Sequence, residues 1–388
     1  MTRRVGVWLI GARGSVATTA ICGAAALSSG RAAPTGCVTG LPDIARAGLA
    51  SYGDLVFGGH DVVSIPVTKR AGQLADAGVL SPQLVAAVSR QLEAADAEIR
   101  PGHTGQAGVP QRRVVTALAA DLRDFSARHR LSQLVVVNVA STERPQAPHP
   151  ATRSLEELER ALDAGTAVLP TSGLYAYAAL RAGCPYVNFT PAVAARLPAL
   201  SQLAVAEQLP WAGNDGKTGE TLLKATLAPM FAARALRVRS WAGTNLLGGG
   251  DGENLADPEV AASKVAAKSA VLSDVLGYGV SAPLHIDYVP DLGEWKTAWD
   301  HVSFEGFLGV RMSMQFTWQG CDSALAAPLV LDLARLIARA RELGDAGPVP
   351  AFGFFFKDPV GGAEPGLAAQ YAALQSWADR AASAGAPR

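Results

Sequence analysis

The segment Val5-Gly-Val-Trp-Leu-Ile-Gly-Ala-Arg-Gly-Ser15 is the part of the chain from which the fold is inferred. Its first six residues predict a buried strand, Gly11 predicts a tight turn, and the Ala-rich run from about Ser15 predicts a helix. This order is typical of dinucleotide-binding α/β folds, in which amides at the helix N-terminus hold a pyrophosphate. Many other α/β proteins begin in the same way, so the segment alone leaves dinucleotide binding open. The candidate cofactor-binding residues of the turn are Gly11, Ala12, Arg13, Gly14, Ser15 and Val16.

Alternating strands and helices continue along the chain and predict a Rossmann-like, doubly wound α/β fold with a mostly parallel sheet. Further strands are predicted at residues 36–39, 54–57, 134–139, 186–189 and 349–356, and further helices at residues 82–99, 111–128, 155–164, 324–341 and 367–382. Glycine and polar residues become frequent at residues 211–219 and 243–254, which predicts an inserted second domain. We therefore expect residues 1–224 and 319–388 to form one domain and residues 225–318 to form the insertion.

The overall composition excludes several classes of protein. The formal net charge is zero, so no sequence-wide electrostatic attraction to nucleic acid or anionic membranes is expected. The four cysteines are far apart and the six histidines lack metal-ligand spacing, which argues against a disulfide scaffold and a metal site. No run approaches the roughly 20 apolar residues that cross a bilayer, and the N-terminal apolar run is too short for a signal peptide. The sequence predicts a cytoplasmic protein.

Lysine is scarce in the sequence, with 7 Lys against 27 Arg. An ammonium can lose its proton when it is buried or crowded, whereas a guanidinium cannot. The retained lysines are therefore candidates for proton transfer and oxyanion stabilisation, with chance clustering as the alternative. Besides Lys69, the lysines are Lys217, Lys224, Lys264, Lys268, Lys296 and Lys357.

Two of these lysines share one predicted helix. Asp257-Pro-Glu259 is typical of a helix start, and the helix would place Lys264 and Lys268 four residues apart on one face. Like charges at this spacing lower the pKa of at least one ammonium, which could then act as an acid, a base or an oxyanion clamp. Two solvated surface lysines are the alternative.

A second candidate site is the loop Gly213-Asn-Asp-Gly-Lys-Thr-Gly-Glu-Thr221, which precedes a helix predicted from about Leu222. Amides and the helix dipole at such an N-terminus favour an anion, so phosphate binding is the functional hypothesis. A capped surface turn is the alternative. The candidate donors are Thr218, Gly219, Glu220 and Thr221.

Further charged residues stand in glycine-rich or strand-end segments. Asp61 follows a predicted strand and could bind a ribose hydroxyl or cap a helix. Lys357 ends the predicted strand at residues 349–356, where ligands of α/β folds bind. Asp251, Lys296 and Asp322 lie in the segments GGGDG, GEWK and GCDS. A solvated surface charge is the alternative for each of them alone.

The chain resembles the myo-inositol-1-phosphate synthase family over most of its length. The matching segments are GARGSVATT at 11–19, DLVFGGHD at 54–61, VVVNVASTER at 135–144, CPYVNFTP at 184–191, GNDGKTGETLLK at 213–224, NLLGGGDGENL at 245–255, SKVAAKS at 263–269, YVPDLGEWKTAWD at 288–300 and CDSALAAP at 321–328. Their order and spacing make the resemblance far more specific than the glycine turn alone.

The resemblance implies a redox-neutral cyclisation of glucose 6-phosphate to myo-inositol phosphate. NAD oxidises C5, an enolate attacks the C1 aldehyde, and the C5 ketone is then reduced. The resemblance also implies an NAD-binding Rossmann domain, an inserted α+β domain for catalysis and oligomerisation, and a homotetramer, and it allows a monovalent or divalent cation. By position, it implies catalytic roles for Lys264, Lys268, Lys296, Lys357 and Asp251, cofactor contacts for residues 11–16, Asp61, Ser141, Thr142, Asp215 and Asp322, and phosphate contacts for Thr218, Gly219, Glu220, Thr221 and Lys296.

The chain departs from the residues usual in the family at several positions. They are Arg13, Ser15, Val16, Ala17, Glu220, Leu246, Gly249, Gly250 and Asp287. These changes remove polar side chains around the expected sugar site, whereas the catalytic-type lysines remain. Three alternatives therefore stay open. They are a paralogue that forms a five-membered cyclitol phosphate from fructose 6-phosphate, a non-cyclising NAD-dependent phosphosugar dehydrogenase, and an inactive NAD-binding regulator.

Overall fold

The predicted strand Val5–Ile10 (β1) lies inside a parallel sheet, and all six of its residues are buried. The structure is a computed structural model that describes residues 3–103, 108–144, 146–249, 272–273, 275–364 and 366–385. The strands that follow are β2 (Leu55–Asp61), β3 (Ile99–Pro101), β4 (Gln133–Asn138), β5 (Tyr186–Asn188), β6 (Pro210–Gly213), β7 (Arg237–Leu247), β8 (Leu284–Tyr288), β9 (Trp295–Glu305), β10 (Arg311–Cys321) and β11 (Gly347–Pro348).

Helices cover both faces of this sheet. The helices among the described residues are α1 (Ser15–Ser28), α2 (Pro42–Ala45), α3 (Val67–Asp76), α4 (Pro82–Ala87), α5 (Ser89–Asp96), α6 (Gln111–His129), α7 (Leu155–Asp163), α8 (Thr171–Arg181), α9 (Pro198–Ala206), α10 (Glu220–Ala233), α11 (Asp322–Glu342) and α12 (Leu367–Ser383). Within the described ranges, none of the helices is both long enough and apolar enough to cross a membrane.

Neighbouring side chains of β1 enter two different apolar cores. Val7 packs with residues of α1, α11 and α12, whereas Trp8 packs with residues of α6, α8 and α9. Successive side chains of a strand face opposite sides of a sheet, so the two cores lie on its two faces. The predicted doubly wound α/β fold is confirmed.

The order of the strands defines where a ligand would bind. The sheet has the order β3-β2-β1-β4-β5-β6-β11, and its strand pairs are parallel. Chain order reverses between β1 and β4, where Ile10 pairs with both His60 and Asn138. In open α/β sheets, ligands bind beyond the carboxyl ends of the strands at such a reversal.

The second sheet has the order β10-β9-β7-β8, with β9 antiparallel to β7 and β10. Trp241 of β7, Val302 of β9 and Phe231 of α10 form a third apolar core beneath it. All four strands lie between Arg237 and Cys321. The domain bounds at residues 225 and 318 stay a prediction.

Two predicted strands are wrong. The apolar segment at residues 36–39 forms a loop and the 3-10 turn Val38–Gly40, because the amides of Val38 and Thr39 donate to the Asp332 carboxylate of α11 over 2.6 and 3.2 Å. The aromatic segment at residues 349–356 forms the 3-10 turn Pro350–Phe355. Its side chains are buried against α12. For example, the ring centroids of Phe352 and of Trp377 in α12 lie 4.9 Å apart.

Other elements differ in extent. The helix predicted at residues 82–99 is divided into α4 and α5, and its last residue begins β3. Strand β6 was expected to be part of a polar loop, but its four residues are buried between β5 and β11. A short buried strand is difficult to distinguish from a loop by periodicity alone.

Candidate functional site

A cavity of about 700 Å³ lies at the carboxyl ends of the parallel strands. The parallel sheet contributes Ile10, Asp61 and Asn138 to its lining, and the second sheet contributes Asn245 and Lys296. The cavity is therefore formed between the two sheets, at the point that the reversal of strand order marks.

The glycine turn after β1 requires glycine at its first position. Gly11 has a φ of +83°, and a Cβ on it would lie 2.7 Å from Cα of Ala140. Gly14 precedes α1, and no side chain caps this helix. The amides of the first turn of α1 are thus available to a ligand, and Gly14, Ser15 and Val16 line the cavity.

Asp61 ends β2 and faces the same cavity. Its Oδ2 accepts a hydrogen bond from the amide of Arg13 at 2.6 Å, and its Oδ1 accepts one from the amide of Val63 at 2.8 Å. The alternative that Asp61 caps a helix is wrong, because α3 begins at Val67 after Pro66. Each oxygen of an ionised carboxylate can accept a further bond, so Asp61 can also bind a ribose hydroxyl. These residues fit a dinucleotide.

Nearly all the predicted cofactor-binding residues line this one cavity. They are Gly11, Arg13, Gly14, Ser15, Val16, Asp61, Ser141, Thr142, Asp215 and Asp322. Ala12 is buried and is not part of the lining. The hydroxyl of Ser15 donates to Glu294 Oε1 at 3.0 Å, and the Arg13 Nε donates to Asp96 Oδ1 at 2.9 Å. Arg13 therefore contributes to the site mainly through its backbone.

The predicted phosphate loop also reaches the cavity, through Thr218, Gly219, Glu220 and Thr221. Helix α10 begins at Glu220 without a side-chain cap, as an anion-binding helix N-terminus requires. The hydroxyl of Thr221 is buried and has no hydrogen-bond partner among the described residues. A Cβ on Gly219 would lie 2.8 Å from Lys296 Nζ and 2.8 Å from the Trp318 ring, so a larger residue would displace one of these side chains.

Among the lysines that the structure describes, Lys296 and Lys357 line the cavity. Lys296 forms an ion pair with Asp322, and its Nζ lies 5.0 Å from the ring centre of Trp318. Lys357 Nζ lies 2.9 Å from Asp215 Oδ1. Both ammonium groups are largely buried beside a carboxylate, so each has a fixed position and a defined proton acceptor nearby.

The side chain of Glu220 does not extend toward a phosphate at the helix N-terminus. Glu220 Oε1 lies 2.5 Å from Nζ of Lys224, one helical turn later, and Oε2 accepts a hydrogen bond from Asn245 Nδ2 at 2.7 Å. All three residues are buried. Only the backbone amide of Glu220 is therefore suited to an anion.

Three of the predicted catalytic residues lie outside the described residues, namely Asp251, Lys264 and Lys268. Their roles stay predictions. Of the remaining lysines, Lys217 is buried and donates to Gln370 Oε1 of α12, whereas Lys69 is exposed on α3. Burial lowers the pKa of Lys217 from 10.5 to about 8.

The departures from the family's residues are not all at the site. Leu246 and Asp287 pair across β7 and β8, and neither lines the cavity. Their neighbours Asn245 and Ile286 do line it, because side chains alternate between the two faces of a sheet. Changes at positions 246 and 287 are therefore no argument for an altered sugar site. Gly249 does line the cavity.

Sequence reasoning missed a buried amide network below the site. Asn138, Asn188 and Asn214 lie at the carboxyl ends of β4, β5 and β6. Asn138 Nδ2 donates to Asn188 Oδ1 at 3.1 Å, and Asn188 Nδ2 donates to the Ala192 carbonyl at 2.8 Å. The repeated occurrence of Asn at strand ends was the available signal. The network holds the loop after β5, whose Thr190 carbonyl accepts a hydrogen bond from the Asp215 amide at 3.0 Å.

Comparisons with known proteins agree with this architecture. A family model described as myo-inositol-1-phosphate synthase, an NAD-binding family, matches residues 5–379. Inositol-3-phosphate synthase 1 of Bacteroides thetaiotaomicron is 33% identical over 92% of this chain and 90% of its own length.

Solved structures share the fold. Inositol-3-phosphate synthase of Caenorhabditis elegans has a TM-score of 0.83 at 21% identity, covering 98% of this chain and 86% of that chain. A myo-inositol-1-phosphate synthase-related protein of Thermotoga maritima has a TM-score of 0.79 at 24% identity, covering 97% and 98%. The match of the family model over most of the chain is decisive, and the chain belongs to the myo-inositol-1-phosphate synthase family of NAD-binding isomerases.

Proposed function

We propose that this chain catalyses the NAD-dependent, redox-neutral cyclisation of glucose 6-phosphate to a myo-inositol phosphate. The observation that carries the proposal is the cavity in which Lys296 and Lys357 meet an uncapped helix N-terminus and a dinucleotide-type glycine turn. A sugar phosphate needs the anion site, and oxidation followed by enolisation needs positioned proton donors and acceptors.

The glycine turn and Asp61 support binding of NAD. Amides of the first turn of α1 receive the pyrophosphate, and Asp61 accepts hydrogen bonds from a ribose. A carboxylate at this position would repel a ribose 2′-phosphate, which favours NAD over NADP. When bound, NAD supplies the hydride acceptor and donor that leave the overall conversion redox-neutral.

The start of α10 binds the phosphate of the substrate. The amides of Gly219, Glu220 and Thr221 donate to it, and the otherwise unpartnered hydroxyl of Thr221 adds one more donor. Lys296 lies beside this turn, since its Nζ would be 2.8 Å from a Cβ on Gly219. Its ammonium neutralises part of the phosphate charge.

Lys357 moves the proton of the C5 oxygen. Its ammonium form stabilises negative charge on that oxygen, and Asp215 at 2.9 Å keeps it oriented. Lys264 and Lys268 carry the roles that the resemblance assigns, stabilisation of the C1 oxygen and the enolate with proton shuttling. Asp251 stays with them as a predicted catalytic residue.

Phosphorus NMR of the purified protein with NAD and either glucose 6-phosphate or fructose 6-phosphate tests this function. We expect a new phosphate ester from glucose 6-phosphate without net reduction of NAD. Product from fructose 6-phosphate alone would replace the proposal by a five-membered cyclitol phosphate synthase. Stoichiometric reduction of NAD without cyclisation would identify a dehydrogenase. If neither cyclisation nor reduction of NAD occurred, the result would favour an inactive NAD-binding regulator.

The second sheet supports assembly into a homotetramer. Phe307 and Leu308, in the turn between β9 and β10, are 86% and 85% exposed, and Trp299 on the open face of β9 is also exposed. Large apolar side chains exposed together are typical of protein interfaces. Light scattering on the full chain should give four times the mass of one chain, and a monomer would contradict this assignment.

A further inference from the structure

We propose that Glu220 positions Asn245 as a group that accepts a hydrogen bond from a substrate hydroxyl, with Lys224 balancing the charge of Glu220. Glu220 thus acts through its neighbour and is not itself a phosphate ligand. The proposal rests on the proposed function, because it assigns the sugar hydroxyls of a hexose phosphate to this part of the cavity.

The hydrogen bond between Asn245 and Glu220 fixes which end of the amide faces the ligand. An ionised carboxylate only accepts hydrogen bonds, so Asn245 must present its NH₂ group to Oε2 of Glu220, at 2.7 Å. Asn245 lines the cavity from β7, and its carbonyl oxygen is the acceptor that remains for a ligand, next to the second N–H of its NH₂ group. A hydroxyl can donate to this oxygen, whereas a phosphate dianion cannot.

Lys224 makes a carboxylate tolerable at this position. Glu220 is the first residue of α10, where the substrate phosphate is expected, and an unbalanced negative charge would repel it. Lys224 Nζ lies 2.5 Å from Glu220 Oε1, and both side chains are only 3% exposed. Solvent screens such a pair little, so the ammonium cancels most of the carboxylate field at the cavity.

The surroundings hold the Glu220 carboxylate in place. A Cβ on Gly243 of β7 would lie 3.5 Å from Glu220 Oε1 and 3.2 Å from Oδ1 of Asp300. That Asp300 oxygen accepts a hydrogen bond from Trp241 Nε1 at 2.8 Å. The Glu220 and Asp300 carboxylates therefore lie side by side against this part of β7.

A glutamine at position 220 could donate to or accept from Asn245. Its amide would allow either orientation of the Asn245 side chain. The glutamate in this chain removes the choice and fixes the orientation in which the Asn245 carbonyl oxygen is free to accept a hydrogen bond from a ligand. The site thereby gains selectivity for a ligand with a hydroxyl donor at this point.

The test uses the whole chain with NADH, which cannot oxidise the sugar, and calorimetry of two ligands, glucose 6-phosphate and inorganic phosphate. Asn245→Ala should weaken glucose 6-phosphate binding about two- to tenfold, the effect of one hydrogen bond, and leave inorganic phosphate within about twofold. The charge-balanced pair Glu220→Leu with Lys224→Met should have the same effect. Adding Asn245→Ala to that pair should cause no further loss, since the three residues act as one unit.

Two controls separate positioning from structural damage. Glu220→Gln with Lys224→Met restores an acceptor for Asn245 and should recover most of the glucose 6-phosphate affinity. Thr221→Val removes a predicted hydrogen-bond donor to phosphate and should lower the affinity for both ligands. Thermal unfolding of each variant identifies any variant that fails to fold, and Asn245→Ala leaves the ion pair intact and keeps the test decisive.

Two results would overturn the positioning role. One is unchanged glucose 6-phosphate affinity in Asn245→Ala. The other is an equal loss of both ligands in the Glu220→Leu, Lys224→Met pair, which would put Glu220 in the phosphate site. Turnover of glucose 6-phosphate by the unmodified enzyme is measured alongside. If glucose 6-phosphate bound tightly but was not cyclised, the proposed function would be wrong. The positioning role of Glu220 would still be decided by the measured affinities.

Discussion

Lys357 and Asp215 contact each other twice. Lys357 Nζ lies 2.9 Å from Asp215 Oδ1, and the Lys357 amide donates to the Asp215 carbonyl at 2.7 Å. Asp215 follows β6, whereas Lys357 follows β11, the strand that pairs with β6. The backbone bond fixes the position of Lys357, so its ammonium lies at the cavity before any ligand binds. Such preorganisation is what electrostatic catalysis requires.

Replacing Lys357 should therefore abolish most of the activity without loss of the fold. We expect Lys357→Met to lower kcat about 100-fold or more, because a positioned acid–base group usually contributes that much. NAD binding, followed by fluorescence, should change little. Lys69→Met is the matched control, since Lys69 is exposed on α3, and it should leave kcat unchanged. A variant at 357 that retained a third of wild-type turnover would remove Lys357 from the mechanism.

Lys296 should act on binding of the phosphate. Lys296→Met should weaken inorganic phosphate and glucose 6-phosphate together by about tenfold or more, since hydrogen bonds to charged groups contribute about 1.5–3 kcal/mol. Calorimetry with NADH present measures both affinities without turnover. The Asn245→Ala variant should instead weaken binding of glucose 6-phosphate and leave that of inorganic phosphate nearly unchanged. If phosphate affinity survived in Lys296→Met, the ammonium would have to be assigned to the sugar.

The lysines show what sequence reasoning could and could not predict. Their scarcity marked them as retained for specific roles, and Lys296 and Lys357 do line the cavity. Lys217 and Lys224 are equally retained, yet they are buried in pairs with Gln370 and Glu220. Residue type and spacing indicate that an ammonium is needed. They do not say whether it faces a ligand or a buried partner, because tertiary packing decides that.

The same limit explains the errors in the fold. Strand β1 and helices α1, α6 and α11 follow from long periodic segments, and they are where they were predicted within a few residues. The apolar residues at 349–356 satisfied the pattern of a buried strand, but packing against α12 buries them as a 3-10 turn. Local pattern signals burial reliably, whereas the partner that provides it lies elsewhere in the chain.

Gly11 and Gly14 should respond differently to the same substitution. Gly11→Ala places a Cβ 2.7 Å from Cα of Ala140 at a φ of +83°, so the turn must deform. Gly14 has a φ of −72°, and its Cβ would meet only the Gly11 carbonyl oxygen, at 3.3 Å. We expect Gly11→Ala to weaken NAD binding at least about tenfold, corresponding to about 1.4 kcal/mol or more, and Gly14→Ala to have a smaller effect. Titration of NAD by fluorescence measures both, and equal losses would argue against the turn as the critical element.

The buried Lys217 should make the stability of the folded chain depend on pH. Its ammonium is buried between the loop after β6 and α12, where desolvation lowers its pKa from 10.5 to about 8. The unfolded chain therefore binds more protons than the folded chain between these two pH values. Stability contributed by such a group rises with pH across that window and is lost again as the pH falls through the folded pKa.

The Lys217→Met variant isolates this contribution, because it removes the titrating group and keeps an apolar side chain of similar length. Between pH 8 and pH 10.5, the free energy of unfolding of the wild type should rise relative to that of the variant by up to about 3 kcal/mol. Urea unfolding at several pH values measures the difference. The comparison uses the change with pH, so effects of the substitution that do not depend on pH cancel. Parallel curves for the two proteins would mean that the ammonium keeps its ordinary pKa and is not desolvated in the folded chain.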